Sequence, residues 1–133
     1  MPFVVDASIS AAWALADEFA PLAEIAENRL RNDYAIAPHI WWYEIRNLLV
    51  VSERRQRITE FESAAFLLVL SAYPIRLESL EMDTDILQIA RRHRLSFYDA
   101  AYLALALREH LPLATLDKHL QSAAVAEGIA LLA

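Results

Sequence analysis

Short apolar segments alternate with longer segments of helical periodicity along this chain, and this alternation restricts its fold more than any other feature. The short segments are rich in β-branched and aromatic residues and span 3–5, 34–37, 75–79, 113–115 and 129–132. Helical patterns occupy residues 8–16, 17–31, 39–57, 59–73, 82–93, 97–110 and 117–127. Strands that are separated by helices favour a parallel sheet with helices on its faces. The sequence therefore predicts an α/β fold with a five-stranded, mainly parallel sheet flanked by about seven helices.

Length and composition predict one compact domain over residues 1–133, since 57% of these residues are hydrophobic. A domain of this size buries roughly two-thirds of the surface that its unfolded chain exposes. No apolar run reaches the roughly 18 residues of a membrane helix, and no basic flank precedes the first apolar stretch. The absence of cysteine excludes disulfides, thiolate metal sites and thiol catalysis. We expect a soluble chain that resides in the cytoplasm.

Glycine and charge limit the kinds of ligand that the chain can bind. Gly128 is the only glycine, which excludes the glycine-rich phosphate loops of nucleotide-binding folds. The net charge of −6 argues against a general electrostatic attraction to nucleic acid. The basic residues are nearly all arginine, however, and they cluster at 53–57 and 91–94. Arginine suits phosphate oxygens, but these clusters also end predicted helices, where cations are favourable without any RNA.

Four acidic residues stand at the ends of predicted strands or on the apolar sides of predicted helices: Asp6, Glu44, Asp99 and Asp117. Carboxylates are rarely buried without a partner, because removing a charge from water costs several kcal/mol. Ligands of a parallel α/β sheet bind beyond the carboxyl ends of its strands, where these acids are expected. Clustered carboxylates repel one another unless a cation neutralises them, and oxygen ligands select Mg²⁺ or Mn²⁺.

Each acid also has an ordinary structural explanation. Asp99 lies three residues after Ser96, which fits a capping box, and Asp6 and Asp117 are placed to cap the helices that follow them. Glu44 lies in mid-helix, where a salt bridge to a neighbouring arginine, Arg46 or Arg54, is the alternative. Taken singly, capping is the commoner use of such residues. The occurrence of all four together favours a functional site.

The order of these motifs resembles that of the PIN-domain family, and more narrowly the VapC-type toxins of bacterial toxin–antitoxin pairs. The chain reads D-x-S from residue 6, E-x-x-N-x-L from 44, Y-D-A-x-Y-L-A-L-A over 98–106 and T-x-D-x-x-L over 115–120. The resemblance extends from Phe3 to Leu120. Four residues match the acidic quartet of the family: Asp6, Glu44, Asp99 and Asp117. Three match the accompanying polar residues: Ser8, Asn47 and Thr115.

This resemblance implies a metal-dependent endoribonuclease that hydrolyses RNA phosphodiester bonds with Mg²⁺ or Mn²⁺ as cofactor. Asp6, Asp99 and Asp117 would hold the metal, and Glu44 would complete the metal shell or orient the attacking water. The implied partners are a VapB-type antitoxin, an RNA substrate of the tRNA or rRNA class and a second copy of the chain. No membrane partner is implied.

Several further residues are candidates for RNA or protein contacts. RNA contact is considered for four basic residues: Arg46, Arg54, Arg55 and Lys118. Trp41, Trp42 and Tyr43 are suited to base stacking, although aromatic helix residues more often belong to a core or an interface, the assignment we favour. The apolar segment 59–73 suits either a partner helix or plain core packing.

Two other functional classes remain as alternatives. A phosphoacceptor receiver domain also places acids and Mg²⁺ at strand ends, but it needs an acidic pair after the first strand, where Asp6 stands alone. A catalytically silent PIN-fold protein would act as a regulatory or DNA-complex partner through its antitoxin. The intact acidic quartet argues against that second alternative.

Overall fold

The computed structural model describes residues 1–15, 20–80 and 83–133. Strands and helices alternate in the order β1 (Phe3–Val5), α1 (Ala7–Ala14), α2 (Pro21–Arg29), β2 (Ala35–Pro38), α3 (Ile40–Arg54), α4 (Glu60–Ser71), β3 (Ile75–Glu78), α5 (Asp83–His93), α6 (Phe97–Glu109), β4 (Leu113–Ala114) and α7 (Lys118–Ala126). The predicted α/β class and the seven helices are confirmed within these residues. Positions 16–19 and 82 of the predicted helices lie outside the described residues.

The sheet has the strand order β3-β2-β1-β4, and all of its strand pairs are parallel. Val4 of β1 pairs with Ile36 of β2 on one side and with Leu113 of β4 on the other. Every residue of β1 and β2 is buried. Continuous apolar strands are expected where helices cover both faces of a sheet.

The prediction of a fifth strand is wrong for the described part of the chain, in which the sheet has four strands. The predicted segment 129–132 contributes only an isolated parallel bridge between Leu113 and Leu131. Two backbone hydrogen bonds flank this bridge, from Leu113 N to the Ala130 carbonyl and from Leu132 N to the Leu113 carbonyl, each of 3.0 Å. The ladder is short because β4 itself contains only Leu113 and Ala114.

Helix α6 lies at the centre of the core. Residues 100–106 of this helix are all buried, and it packs against β1, β2 and α5. A helix that is apolar on every side belongs in an interior, and its alanines allow close approach to the strands. Helix α3 packs against β2 and α1. Helix α6 thus packs beside β1 and β4, the strands that precede Asp6 and Thr115.

Helices α3 and α4 both carry exposed apolar side chains. Trp41 of α3 is buried and donates a 2.9 Å hydrogen bond from Nε1 to Ser10 Oγ, which confirms its assignment to the core. Trp42 and Tyr43 are exposed, so a core role is wrong for these two residues.

Within the described chain, none of the helices has the combined length and apolar character to span a membrane.

Candidate active site

The neighbouring strands β1 and β4 create a crevice at the edge of the sheet. From β1 the chain proceeds through β2 to β3 on one side, and β4 then returns to the other side of β1. Ligands of open parallel sheets bind at such a reversal of strand order, beyond the carboxyl ends of the strands. Asp6 directly follows β1 and Thr115 directly follows β4. Both residues therefore lie at this crevice.

Asp6 is a buried carboxylate that accepts three hydrogen bonds. It is 4% exposed, and its Oδ1 accepts hydrogen bonds from Ser8 Oγ at 2.6 Å and from Ile9 N at 3.2 Å. Its Oδ2 accepts a short hydrogen bond from Thr115 Oγ1. Burial raises the pKa of Asp6 to about 6, and the charge of Asp99 also raises it, whereas the three hydrogen bonds lower it. The carboxyl is therefore ionised at neutral pH but easily protonated below it.

The hydroxyls of Ser8 and Thr115 join the start of α1 to the loop after β4. Ser8 Oγ accepts a 2.9 Å hydrogen bond from Leu116 N, and Thr115 Oγ1 accepts one of 3.0 Å from Asp117 N. Each hydroxyl thus donates to Asp6 and accepts from the backbone of the loop after β4, Ser8 from Leu116 N and Thr115 from Asp117 N. The two residues fix Asp6 relative to the loop that carries Asp117.

The capping interpretation is confirmed for Asp6 and Asp117. Asp6 is the N-cap of α1, and Asp117 is the N-cap of α7, where its Oδ1 accepts a 3.0 Å hydrogen bond from Leu120 N. Asp117 is nevertheless exposed to solvent. A carboxylate has more lone pairs than a single cap uses, so capping and ligand binding are compatible in one residue.

The capping box predicted at Asp99 is only half formed. Ser96 is the N-cap of α6, and its Oγ accepts a 3.1 Å hydrogen bond from Asp99 N, while the reverse bond from Ser96 N to the Asp99 carboxyl is not formed. Asp99 is half-buried in the first turn of the helix. Burial raises its pKa, and the charge of Asp117 raises it further, whereas the hydrogen bond with Ser96 and the nearby His119 lower it.

Glu44 has a partner that the sequence interpretation missed. Tyr102 is buried in α6, and its hydroxyl donates a 2.7 Å hydrogen bond to Glu44 Oε1. Burial raises the pKa of Glu44, the hydrogen bond from Tyr102 lowers it, and the charge of Asp99 raises it. A signal for Tyr102 exists in the sequence, because it lies one helical turn after Asp99 and a buried tyrosine usually requires a polar partner.

The salt bridge considered for Glu44 is absent from the described residues. Arg46 instead donates a 3.2 Å hydrogen bond to the Trp42 carbonyl, and its guanidinium lies 3.9 Å from the centre of the Trp42 ring. Arg54 and Lys118 are exposed at helix ends, and Lys118 follows Asp117 directly. Arg55 lines a groove that leads away from Glu44. RNA contact remains a prediction for all four basic residues.

The four acids share one electrostatic environment with Asp99 at its centre. The charge of Asp99 raises the pKa values of both Asp6 and Glu44, and the charge of Asp117 raises that of Asp99. Oxygen donors of this kind suit Mg²⁺ or Mn²⁺. In chemical type the donor set therefore fits a hard divalent cation. Across 1–15, 20–80 and 83–133, no three acidic or histidine side chains stand close enough together to form a ready metal shell.

The sequence and this architecture define the class of protein. Residues 3–126 match the family profile described as PIN domain. The chain therefore belongs to the PIN-domain family. Over 127 residues it is 31% identical to Ribonuclease VapC3 of Pyrobaculum aerophilum, a match that covers 90% of this chain and 92% of that protein. Within the family it is a VapC-type PIN domain, and the receiver-domain alternative is wrong.

Solved structures share the same architecture. The crystal structure of PAE2754 from Pyrobaculum aerophilum superposes with a TM-score of 0.67 at 28% identity, covering 92% of this chain and 87% of that one. Mycobacterium tuberculosis VapC20, described as a sarcin-ricin loop cleaving toxin, superposes with a TM-score of 0.62 at 17% identity, covering 92% of this chain and 95% of that one. The second likeness concerns the fold alone.

Proposed function

We propose that this protein is the toxin of a type II toxin–antitoxin system and acts as an endoribonuclease that depends on Mg²⁺ or Mn²⁺. The observation that supports the proposal is the electrostatic repulsion of Asp99 with Asp6, Glu44 and Asp117, together with the position of Asp6 directly after β1. The similarity to Ribonuclease VapC3 supports RNA as the substrate. Carboxylate clusters are used for cation-assisted phosphodiester hydrolysis.

The roles of the acids are those that the family resemblance implies. Asp6, Asp99 and Asp117 would hold the divalent cation, and Glu44 would complete its shell or orient the attacking water. A cation held there would lower the pKa of a coordinated water and would neutralise negative charge on the phosphate. Burial would strengthen the interaction of Asp6, Glu44 and Asp99 with a cation, because the effective dielectric constant around them is lower than in water.

The surrounding residues keep these acids oriented. Ser8 and Thr115 hold the Asp6 carboxylate from both sides, and Tyr102 holds Glu44. A hydrogen bond that is donated to a carboxylate favours its ionised form. The three hydroxyls thus oppose the rise in pKa that burial causes, and they favour the ionised forms of Asp6 and Glu44 that would bind a cation. Asn47 is exposed one turn of α3 beyond Glu44, where it is available to an RNA group.

The antitoxin and the homodimer are inferred from the proposed toxin function and from two exposed apolar surfaces. We assign a VapB-type antitoxin to the surface of α4, where Phe61 is 82% exposed and Leu68 is 74% exposed. A homodimer would cover Trp42 and Tyr43. Exposed apolar side chains of this size are typical of protein interfaces. The protein would act in the cytoplasm on RNA of the tRNA or rRNA class.

End-sequencing of total cellular RNA tests the nuclease directly. Purified protein is incubated with Mn²⁺ or with chelator, beside the double variant Asp6→Asn, Asp99→Asn. Discrete cuts that need both the metal and the acids are expected. Asp85→Asn, which removes an exposed acid of α5, is the matched control and should cut normally. Equal cutting by the double variant, or no cutting by any form, would reject the nuclease and favour the catalytically silent regulatory protein.

A further inference from the structure

A groove between α1 and α3 begins at the proposed catalytic site and runs away from it. Its volume is about 380 Å³. Ser8, Glu44 and Asn47 line the end at the site, and Arg55 and Arg57 line the other end. Glu44 and Arg55 are separated by three turns of α3, about 16 Å at 1.5 Å per residue. The groove is therefore an extended channel that is open at the site.

The walls between these two ends are apolar. Ala11 and Leu15 contribute from the α1 side, and Leu48 and Val51 contribute from α3. Leu48, Val51 and Arg55 recur at intervals of three and four residues after Glu44, so they share one face of α3. The small Ala11 side chain leaves space opposite this face. The channel thus joins an anionic, polar end to a cationic end through an apolar middle.

The cationic end is held in place by the way α3 terminates. Gln56 has a left-handed backbone with a φ of 58°, and Arg57 N donates a 2.9 Å hydrogen bond to the Ser52 carbonyl. Gln56 N donates a second hydrogen bond, of 3.0 Å, to the Glu53 carbonyl. This pair of bonds is a Schellman motif, which reverses the chain and closes the helix. The backbone that carries Arg55 and Arg57 is therefore fixed against the end of the groove.

We infer that this groove binds the single-stranded RNA that flanks the cleavage point, with Arg55 on a phosphate and the apolar walls against a base. The inference rests on the proposed nuclease function, since the groove opens at Glu44. Single-stranded nucleic acid alternates flat apolar bases with anionic phosphates, and proteins bind it with apolar surfaces and cations in the same alternation. Arg55 is exposed, and its guanidinium presents a planar fork suited to phosphate oxygens.

The polarity of the groove favours RNA over a protein segment. An RNA that is cut at the site extends beyond it. The groove begins at the site, where Ser8 and Glu44 line it. The positive end lies where the next phosphates would pass, whereas the net charge of the whole chain is −6. The exposed Arg55 at this end of the groove therefore offers a specific anion contact on a protein that has no general attraction for nucleic acid.

Equilibrium binding of RNA tests this inference independently of cleavage. The probe is a fluorescent single-stranded RNA of randomised sequence and about 12 nucleotides, within the range of single-strand binding sites. Binding is measured by anisotropy in the Asp99→Asn background over a series of salt concentrations. Arg55→Glu is expected to weaken binding about tenfold and to reduce the slope of log K against log salt by about 0.7, the value of one single-strand phosphate contact. Arg55→Lys should recover most of the affinity.

Arg91→Glu is the matched control, because Arg91 is an exposed arginine in the last turn of α5 and does not line the groove. Equal losses and equal slopes for Arg55→Glu and Arg91→Glu would overturn the inference, as would the absence of RNA binding, and the groove would then suit a protein segment. The two proposals fail separately. Binding that depends on Arg55 without any cleavage rejects the nuclease alone, and cleavage and binding that ignore Arg55 reject the groove alone.

Discussion

The hydroxyl of Tyr102 lies 2.7 Å from Oε1 of Glu44 and joins helix α6 to helix α3 at the site. Tyr102 is among the largest fully buried side chains, so its position is set by the core. Its own pKa is raised by burial and by the charges of Glu44, Asp6 and Asp99, which keeps it protonated as a donor. The buried Tyr102 thereby fixes the position of the Glu44 carboxyl and lowers its pKa.

Replacing Tyr102 with phenylalanine should move the acid limb of the cleavage profile to higher pH. The hydrogen bond lowers the pKa of Glu44, so its loss raises that pKa and protonates Glu44 over a wider range. Loss of the bond should also reduce the free energy of unfolding by about 1 kcal/mol. The rate against pH and urea unfolding are the measurements. Tyr98→Phe, at an exposed tyrosine of the same helix, is the control, and an unchanged pH profile for Tyr102→Phe would contradict the role.

Asp6→Asn should stabilise the metal-free protein at alkaline pH and not at acid pH. Burial raises the pKa of Asp6 from 3.8 to about 6 in the folded state. The folded state therefore binds more protons between these values, and wild-type stability is lost as pH rises through them. A shift of this size is worth roughly 3 kcal/mol at pH values above it. Asparagine retains an acceptor for Ile9 N, so the cap of α1 is kept.

Urea unfolding in chelator at about pH 3 and about pH 8 measures this difference, since these values lie on either side of the range from 3.8 to about 6. The free energy of unfolding of Asp6→Asn should equal that of the wild type at the lower pH and exceed it at the higher pH. Asp85→Asn should show no such pH dependence, because that acid is exposed. A variant that is less stable than the wild type at the higher pH would show that Asp6 is satisfied without a cation.

Asp99→Asn should raise the thermal midpoint in chelator at neutral pH and abolish the gain that Mn²⁺ gives. Removing this charge relieves its repulsion with Asp6, Glu44 and Asp117. A cation bound only by the folded state stabilises it by mass action, so the wild-type midpoint should rise with millimolar Mn²⁺ and the variant midpoint should not. A variant clearly less stable than the wild type in chelator would indicate that the attraction of Asp99 to the N-terminus of α6 outweighs its repulsion with the other acids.

Thr115→Val should destabilise the fold and shift activity to higher pH. Thr115 is fully buried, donates to Asp6 and accepts from Asp117 N. Valine leaves both partners unsatisfied, which costs about 1–3 kcal/mol, and it removes a hydrogen bond that lowers the pKa of Asp6. Thr115→Ser restores the hydroxyl and should recover the activity profile even where stability remains reduced. Equal pH profiles of activity for Thr115→Val and Thr115→Ser would argue against a role of the hydroxyl in activity.

The sequence predicted the positions of the acids well and their partners poorly. Short apolar strands and periodic helices placed Asp6 and Asp117 at strand ends, because those patterns are local. The bond between Glu44 and Tyr102 joins residues 58 positions apart, and no local pattern encodes which side chains meet across two helices. The fifth strand failed for a related reason, since an apolar run shows that residues 129–132 can pair but not that β4 is too short to receive them.

The parallel pairing of β1 with β4 determines when the site can first form during synthesis. Thr115, which holds the carboxylate of Asp6, leaves the ribosome 109 positions after it. Strand β1 has no β4 beside it until Leu113 and Ala114 have been made. A chain in which β4 has not yet been made therefore lacks the hydrogen bond from Thr115 to Asp6. If the protein is the toxin proposed above, its site stays incomplete until β4 and Thr115 have been synthesised.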